Sequence, residues 1–125
     1  MPYETDPLTD KIIGLAIEVH RQLGPGLLES AYEECLCFEL NAARISFRRQ
    51  LPLAVVYKGV RLDCGYRLDI VVEDRIIIEL KTVERLMPIH EAQMLTYLRL
   101  SGVRVGLLMN FNTPVLKDGL RRILL

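Results

Sequence analysis

Residues 74–81 read Asp-Arg-Ile-Ile-Ile-Glu-Leu-Lys, and the way this stretch is read decides the fold. Its β-branched run predicts a strand, in which consecutive side chains alternate between two faces. Ile76, Ile78 and Leu80 then share one face, and Ile77, Glu79 and Lys81 share the other. A strand apolar on both faces is covered on both sides, as at the centre of a layered sheet. Glu79 and Lys81 sit side by side at the end of that strand, so the two charges need a partner or a task.

Upstream, residues 45–72 carry β-branched runs interrupted at Lys58-Gly59, and Glu73-Asp74 separates them from the central run. Both dipeptides suit tight hairpin turns. The reading is three strands, over about 45–57, 60–72 and 75–81. Downstream, "PIHEAQMLTYLRLSG" (88–102) predicts a helix closed by Gly102, "VRVGLLMNF" (103–111) a fourth strand, and "GLRRILL" (119–125) a short closing strand. The N-terminal third predicts two helices. In residues 6–24 the apolar positions Ile12, Ile13, Ala16, Ile17 and Val19 or His20 recur at helical spacing, with Thr9 or Asp10 as the cap and Gly24 as the stop. The turn Gly24-Pro25-Gly26 leads into a second helix that runs to about Ala43. The order is ααβββαββ. It implies an α/β (α+β) domain, a mixed sheet of about four to five strands flanked by three helices.

The 125 residues allow one domain, 1–125, with a sizeable core and no linker or repeat. Sixteen Lys and Arg balance 16 Asp and Glu. A uniformly basic or acidic surface is therefore excluded, and any phosphate-binding region must be local. Cys35, Cys37 and Cys64 are odd in number with no secretory signal, which points to a reducing, cytoplasmic setting. Cys35 and Cys37 lie two apart in a helical pattern and do not share a face, so they make a poor metal pair. Three cysteines also fall short of the usual iron–sulfur set. No apolar run is long enough to span a bilayer.

Asp69 is out of place among Leu68, Ile70, Val71 and Val72. An acid inside a strand is unfavourable, and its charge is expensive to bury without a partner. If the second and third strands form a hairpin, Asp69 comes close to Glu79. Two adjacent carboxylates repel unless a cation lies between them, and an oxygen donor set suits Mg²⁺ or Mn²⁺. Other polar residues have ordinary readings. Glu29 opens the second helix, where an acid complements the helix dipole, and shares a face with Tyr32. His90, Gln93 and Tyr97 form a polar stripe on the third helix that a solvated face would also explain.

Taken together, "Gly26-Leu-Leu-Glu29-Ser-Ala-Tyr32", "YRLDIVVEDRIIIELK", "PIHEAQMLTYLRLSG", "VGLLMNFN" and "GLRR" resemble, in order and over nearly the whole chain, the GxxExxY proteins of the PD-(D/E)XK nuclease superfamily. The resemblance implies a metal-dependent nuclease that hydrolyses phosphodiester bonds of nucleic acid, DNA before RNA, as a Mg²⁺- or Mn²⁺-dependent (exo)deoxyribonuclease. It implies Asp69, Glu79 and Lys81 as the catalytic triplet. The helix acid corresponds to Glu29, and the Gln and Tyr of the following helix correspond to Gln93 and Tyr97. Metal ligands would be Glu29, Asp69, Glu79 and the Leu80 carbonyl. Gln93 would hold Lys81 or water, and Tyr97, His90, Tyr32 and Arg67 are substrate contacts. Leu68 stands where the name-giving motif has proline. Exonuclease-like relatives often oligomerise, so a homo-oligomer or a protein partner is expected. The contrasting expectation is a catalytically inactive nucleic-acid-binding or partner-binding module that keeps the fold. A structural protein with Asp69, Glu79 and Lys81 in a buried ion-pair network is a third.

Overall fold

The computed structural model describes residues 6–125. The first helix, α1 (Pro7–Leu23), starts one turn earlier than the expected cap. The Asp6 side chain accepts the Leu8 N–H at 3.0 Å, and Pro7 follows with its φ already set for a helix. Thr9 is thereby drawn inside α1 and buried, and is not its cap. Gly24, at φ +68°, ends the helix as expected. The second helix, α2, spans Glu29–Ala42.

The strands are β1 (Phe47–Pro52), β2 (Val55–Tyr57), β3 (Val60–Leu62), β4 (Arg67–Val72) and β5 (Ile76–Lys81). Helix α3 (Pro88–Ser101), β6 (Val105–Asn110), a 3₁₀ turn (Leu116–Gly119) and β7 (Leu120–Leu124) complete the chain. The main sheet has the order β1-β4-β5-β6-β7, with β5 and β6 parallel and the other pairs antiparallel. Three helices flank this mixed sheet, as the sequence predicted.

Two expected long strands are each broken in two. Pro52 has no N–H to continue a ladder, so β1 stops there. In the other strand, Asp63 Oδ1 accepts the Gly65 N–H at 2.9 Å and Gly65 takes φ +79°, which bends the chain out of line. The pieces beyond the breaks, β2 and β3, pair as a separate two-stranded ribbon. Its turn, Lys58-Gly59, has both residues at positive φ, as does Glu73-Asp74 between β4 and β5. That conformation matches the right-handed twist of a hairpin.

The two faces read from residues 76–81 are the two halves of the core. Ile76, Ile78 and Leu80 pack with Ile12, Ala16, Tyr32, Leu36 and Leu40 beneath α1 and α2. Ile77 packs with Met94, Leu98 and Leu108 beneath α3. Gly106 leaves room for the Met94 side chain in that second layer, and a Cβ there would force Met94 to shift. Glu79 and Lys81, on the Ile77 face, therefore point toward α3. Among the described residues, no helix is long and apolar enough to cross a membrane.

Candidate active site

Strands β4 and β5 pair through Val72–Ile76, Val71–Ile77 and Ile70–Ile78, and then the ladder opens. Two carboxylates take over the backbone donors there. The Asp69 N–H donates to Glu79 Oε2 at 3.0 Å, and the Leu80 N–H donates to Asp69 Oδ2 at 2.9 Å. This exchange explains an acid inside an apolar strand: the two carboxylates cross-link a strand end that backbone carbonyls no longer hold.

The arrangement puts two acids in contact where water is scarce. Glu79 is 5% exposed and Asp69 is half-buried. Burial, and then the neighbouring Asp69 charge, push the Glu79 carboxyl up to about 9. At neutral pH Glu79 therefore keeps its proton unless a cation arrives. On the same face, Lys81 Nζ donates to Gln93 Oε1 of α3 at 3.2 Å. Tyr97, one turn further along α3, is 6% exposed. Its hydroxyl is held above its ordinary value by burial first, then by Glu79, Tyr66 and Asp69.

This donor set fits a hard divalent cation: two adjacent carboxyl groups, one of them held protonated by burial and by its acidic neighbour. Among the described residues no three His, Cys, Asp or Glu side chains converge. Protein carboxylates would then fill two positions, and water and substrate oxygens the others, which is the usual habit of Mg²⁺. Leu80 lies between the acids, its N–H bound to Asp69.

The acid of α2 that approaches this end of the sheet is Glu33, which the sequence reading missed. Glu33 is 8% exposed, and its Oε2 accepts Arg49 Nε and Nη2 at 3.1 and 2.8 Å. Arg49 Nη2 also reaches Glu34 at 2.8 Å. Gln50 Nε2 donates to Glu33 Oε1 at 2.8 Å and approaches Asp69 Oδ1 at 3.5 Å. Gln50 sits opposite Asp69, between the pairs Arg49–Ile70 and Leu51–Leu68, at φ +49°. A left-handed glutamine inside a strand is strained, and such strain concentrates at working sites. Periodicity along α2 cannot reveal which of its four glutamates turns inward, and nothing in the sequence marks the φ of Gln50.

Other expected site residues are placed differently. Tyr32, expected as a substrate contact, is wholly buried and stacked on Phe111 with ring centroids 4.5 Å apart. Its hydroxyl donates to the Gly24 carbonyl at 2.6 Å and accepts the Leu27 N–H at 3.1 Å, which fixes the turn between α1 and α2. Glu29 is exposed at the start of α2, and the structure does not gather it with Asp69 and Glu79 into a three-acid cluster. His90 Nδ1 accepts the Met87 N–H at 2.8 Å and closes the first turn of α3. Arg67 is exposed at the start of β4, opposite Pro52. Asn110 was not singled out by the sequence. Buried opposite Lys81, it binds the Val83 N–H and carbonyl at 3.1 and 2.9 Å and pins the segment that leaves the site.

A profile of the PD-(D/E)XK nuclease superfamily matches residues 6–123. Searches of curated proteins and of solved structures found no significant match. The profile spans α1 to β7 and contains the crossed carboxylates, the lysine beside them and the glutamine that holds it, so the chain belongs to the PD-(D/E)XK nuclease superfamily.

Proposed function

We propose that this protein is a Mg²⁺- or Mn²⁺-dependent deoxyribonuclease that hydrolyses phosphodiester bonds. The observation that carries the reading is the Asp69–Glu79 contact at the open end of β4 and β5, with Lys81 on the same face. Asp69 and Glu79 would hold the divalent ion, with the Leu80 carbonyl beside them. A bound ion of this kind neutralises charge on the phosphate and acidifies a coordinated water.

The chain's own groups do the rest. Gln93 holds the Lys81 ammonium on the strand face that also carries Glu79. From there Lys81 orients the attacking water and offsets the charge that builds on the phosphoryl oxygens. A water oxygen bonds to phosphorus, the ester bond to the leaving strand breaks, and the leaving oxygen takes up a proton. Loss of the Glu79 proton, favoured once a cation is present, completes the anionic pair. Burial of Glu79 and Tyr97 strengthens each charge interaction.

The test is cleavage of labelled single-stranded and duplex DNA and RNA with Mn²⁺, with Mg²⁺ and with EDTA. Cleavage of DNA that needs the metal and vanishes in Asp69→Asn is the expected result. Metal-independent cleavage, or full activity in Asp69→Asn, would refute the reading. One observation favours a second reading, nucleic-acid binding without hydrolysis. Glu33, the inward acid of α2, is already committed to Arg49 and adds no third carboxylate to the pair. DNA binding with no cleavage under any metal would support it.

A further inference from the structure

Beside the acid pair, a groove of about 440 Å³ runs between α3 and the β2–β3 ribbon, and its lining includes Val55, Tyr66, Ile89, Gln93, Thr96 and Tyr97. We propose that this groove receives an unpaired nucleobase of the substrate, stacked against Tyr66, so that the enzyme acts on single-stranded or frayed nucleic acid. The inference rests on the nuclease reading and specifies its substrate.

Two of the lining residues belong to the candidate active site. Gln93 holds Lys81, and Tyr97 feels the charges of Glu79 and Asp69. An occupant of the groove would thus lie next to whatever is held at the carboxylates, the position a base takes beside its own phosphate. The wall chemistry suits a base. Tyr66 is 45% exposed and meets Tyr97 edge-on, ring centroids 6.1 Å apart, which leaves a ring face open. Val55 and Ile89 supply apolar surface, Ile89 at 70% exposure, and Thr96 and Gln93 supply a few polar edges. Base–aromatic stacking needs this mixture and tolerates any base.

Cations near the groove suit phosphates. Lys58, in the turn of the ribbon, and Arg67, next to Tyr66 at the start of β4, are exposed, and the ion pairs found among the described residues include neither of them. The Lys58 ammonium lies 5.5 Å above the Tyr57 ring, and Tyr57 shares a ribbon face with Val55. A second copy of the chain, docked symmetrically on this groove, would bring the same cations against one another. A strand of phosphates would neutralise them. A fully paired duplex keeps its bases stacked inside and has none to offer the groove unless an end frays.

The experiment measures binding of a fluorescent single-stranded oligonucleotide and of a blunt duplex in EDTA, for wild type, Tyr66→Phe and Tyr66→Ala. Tyr66→Ala is expected to weaken single-strand binding about 5- to 100-fold and duplex binding less than about two-fold, with Tyr66→Phe close to wild type. A 2-aminopurine base in the single strand gives a readout on the unaltered protein. Its fluorescence should change on binding, and removing that one base should weaken binding by a similar factor. Equal losses for single strand and duplex, no loss at all, or an unchanged 2-aminopurine signal would overturn the inference. Cleavage with Mn²⁺ separates the two claims. Cleavage that ignores Tyr66 and strandedness sinks the groove alone, and Tyr66-dependent single-strand binding without cleavage sinks the nuclease reading alone.

Discussion

Glu33 and Glu79 are both buried acids, 8% and 5% exposed, and they meet opposite surroundings. Glu33 has its counter-ion within the chain, since Arg49 grips one carboxylate oxygen with two nitrogens. Glu79 faces Asp69, another acid, and its carboxyl is pushed up to about 9. Evenly charged overall, the chain sets an arginine directly on the first acid, whereas at the second the Lys81 charge is outweighed by burial and by Asp69. A buried acid paired within the fold serves structure, whereas a buried pair of acids with no salt-bridge partner among the described residues suits the divalent cation that we propose it holds.

The comparison breaks most sharply on activity. Asp69→Asn and Lys81→Met should each lower DNA cleavage by about 10³-fold, since metal-centred charge stabilisation is worth several kcal/mol. Circular dichroism should show both variants folded. Arg49→Met should do the reverse. It strips the buried Glu33 of its cation and should lower stability by about 1–3 kcal/mol, read as a fall in Cm at unchanged m. Cleavage at a temperature where the variant is folded should stay within about three-fold of wild type. If Arg49→Met instead abolished cleavage at full stability, the two acids would not divide as described.

A smaller effect comes from Glu79 and pH. An unfolded chain releases this proton near the ordinary 4.5, and the metal-free fold releases it only near 9. The folded state thus binds the extra proton between those values, and stability falls as pH rises through that window. The contribution is intact below about 4.5 and fully lost above about 9. Glu79→Gln should flatten the slope and raise metal-free stability at pH 8 by at least about 1 kcal/mol, or ~4–8 °C in Tm. Saturating Mn²⁺ should restore stability to wild type at pH 8 and leave Glu79→Gln little changed. The smallest effect is expected at Gln93→Leu, which frees Lys81. It should reduce kcat by about 10-fold, with metal affinity nearly intact.

The central strand made much of this legible. Alternation in residues 76–81 assigned both core faces, and the charged pair at its end lies on the face toward α3. A hairpin through Glu73-Asp74, readable from that dipeptide, brings Asp69 to Glu79. What escaped the sequence depended on backbone conformation or on side-chain direction. Pro52 and Gly65 break strands whose apolar pattern runs straight on. Asp6 outcompetes Thr9 as a cap because Pro7 follows it. Tyr32 lies where a helix face could turn to substrate or to core, and only Phe111, 79 positions away, settles the choice. Glu33 and Gln50 were invisible for the same reason: their link to Asp69 runs around the edge strand through a left-handed φ.

The most direct test of the central claim is calorimetric titration of Mn²⁺ into wild type, Asp69→Asn and Glu33→Gln, in buffers of different ionisation enthalpy at pH 7.5. An acid pair that awaits a cation predicts binding by wild type with release of close to one proton, given up by Glu79. It predicts loss of binding in Asp69→Asn and retention within about three-fold in Glu33→Gln. Binding that releases no proton, or that survives Asp69→Asn, would contradict it.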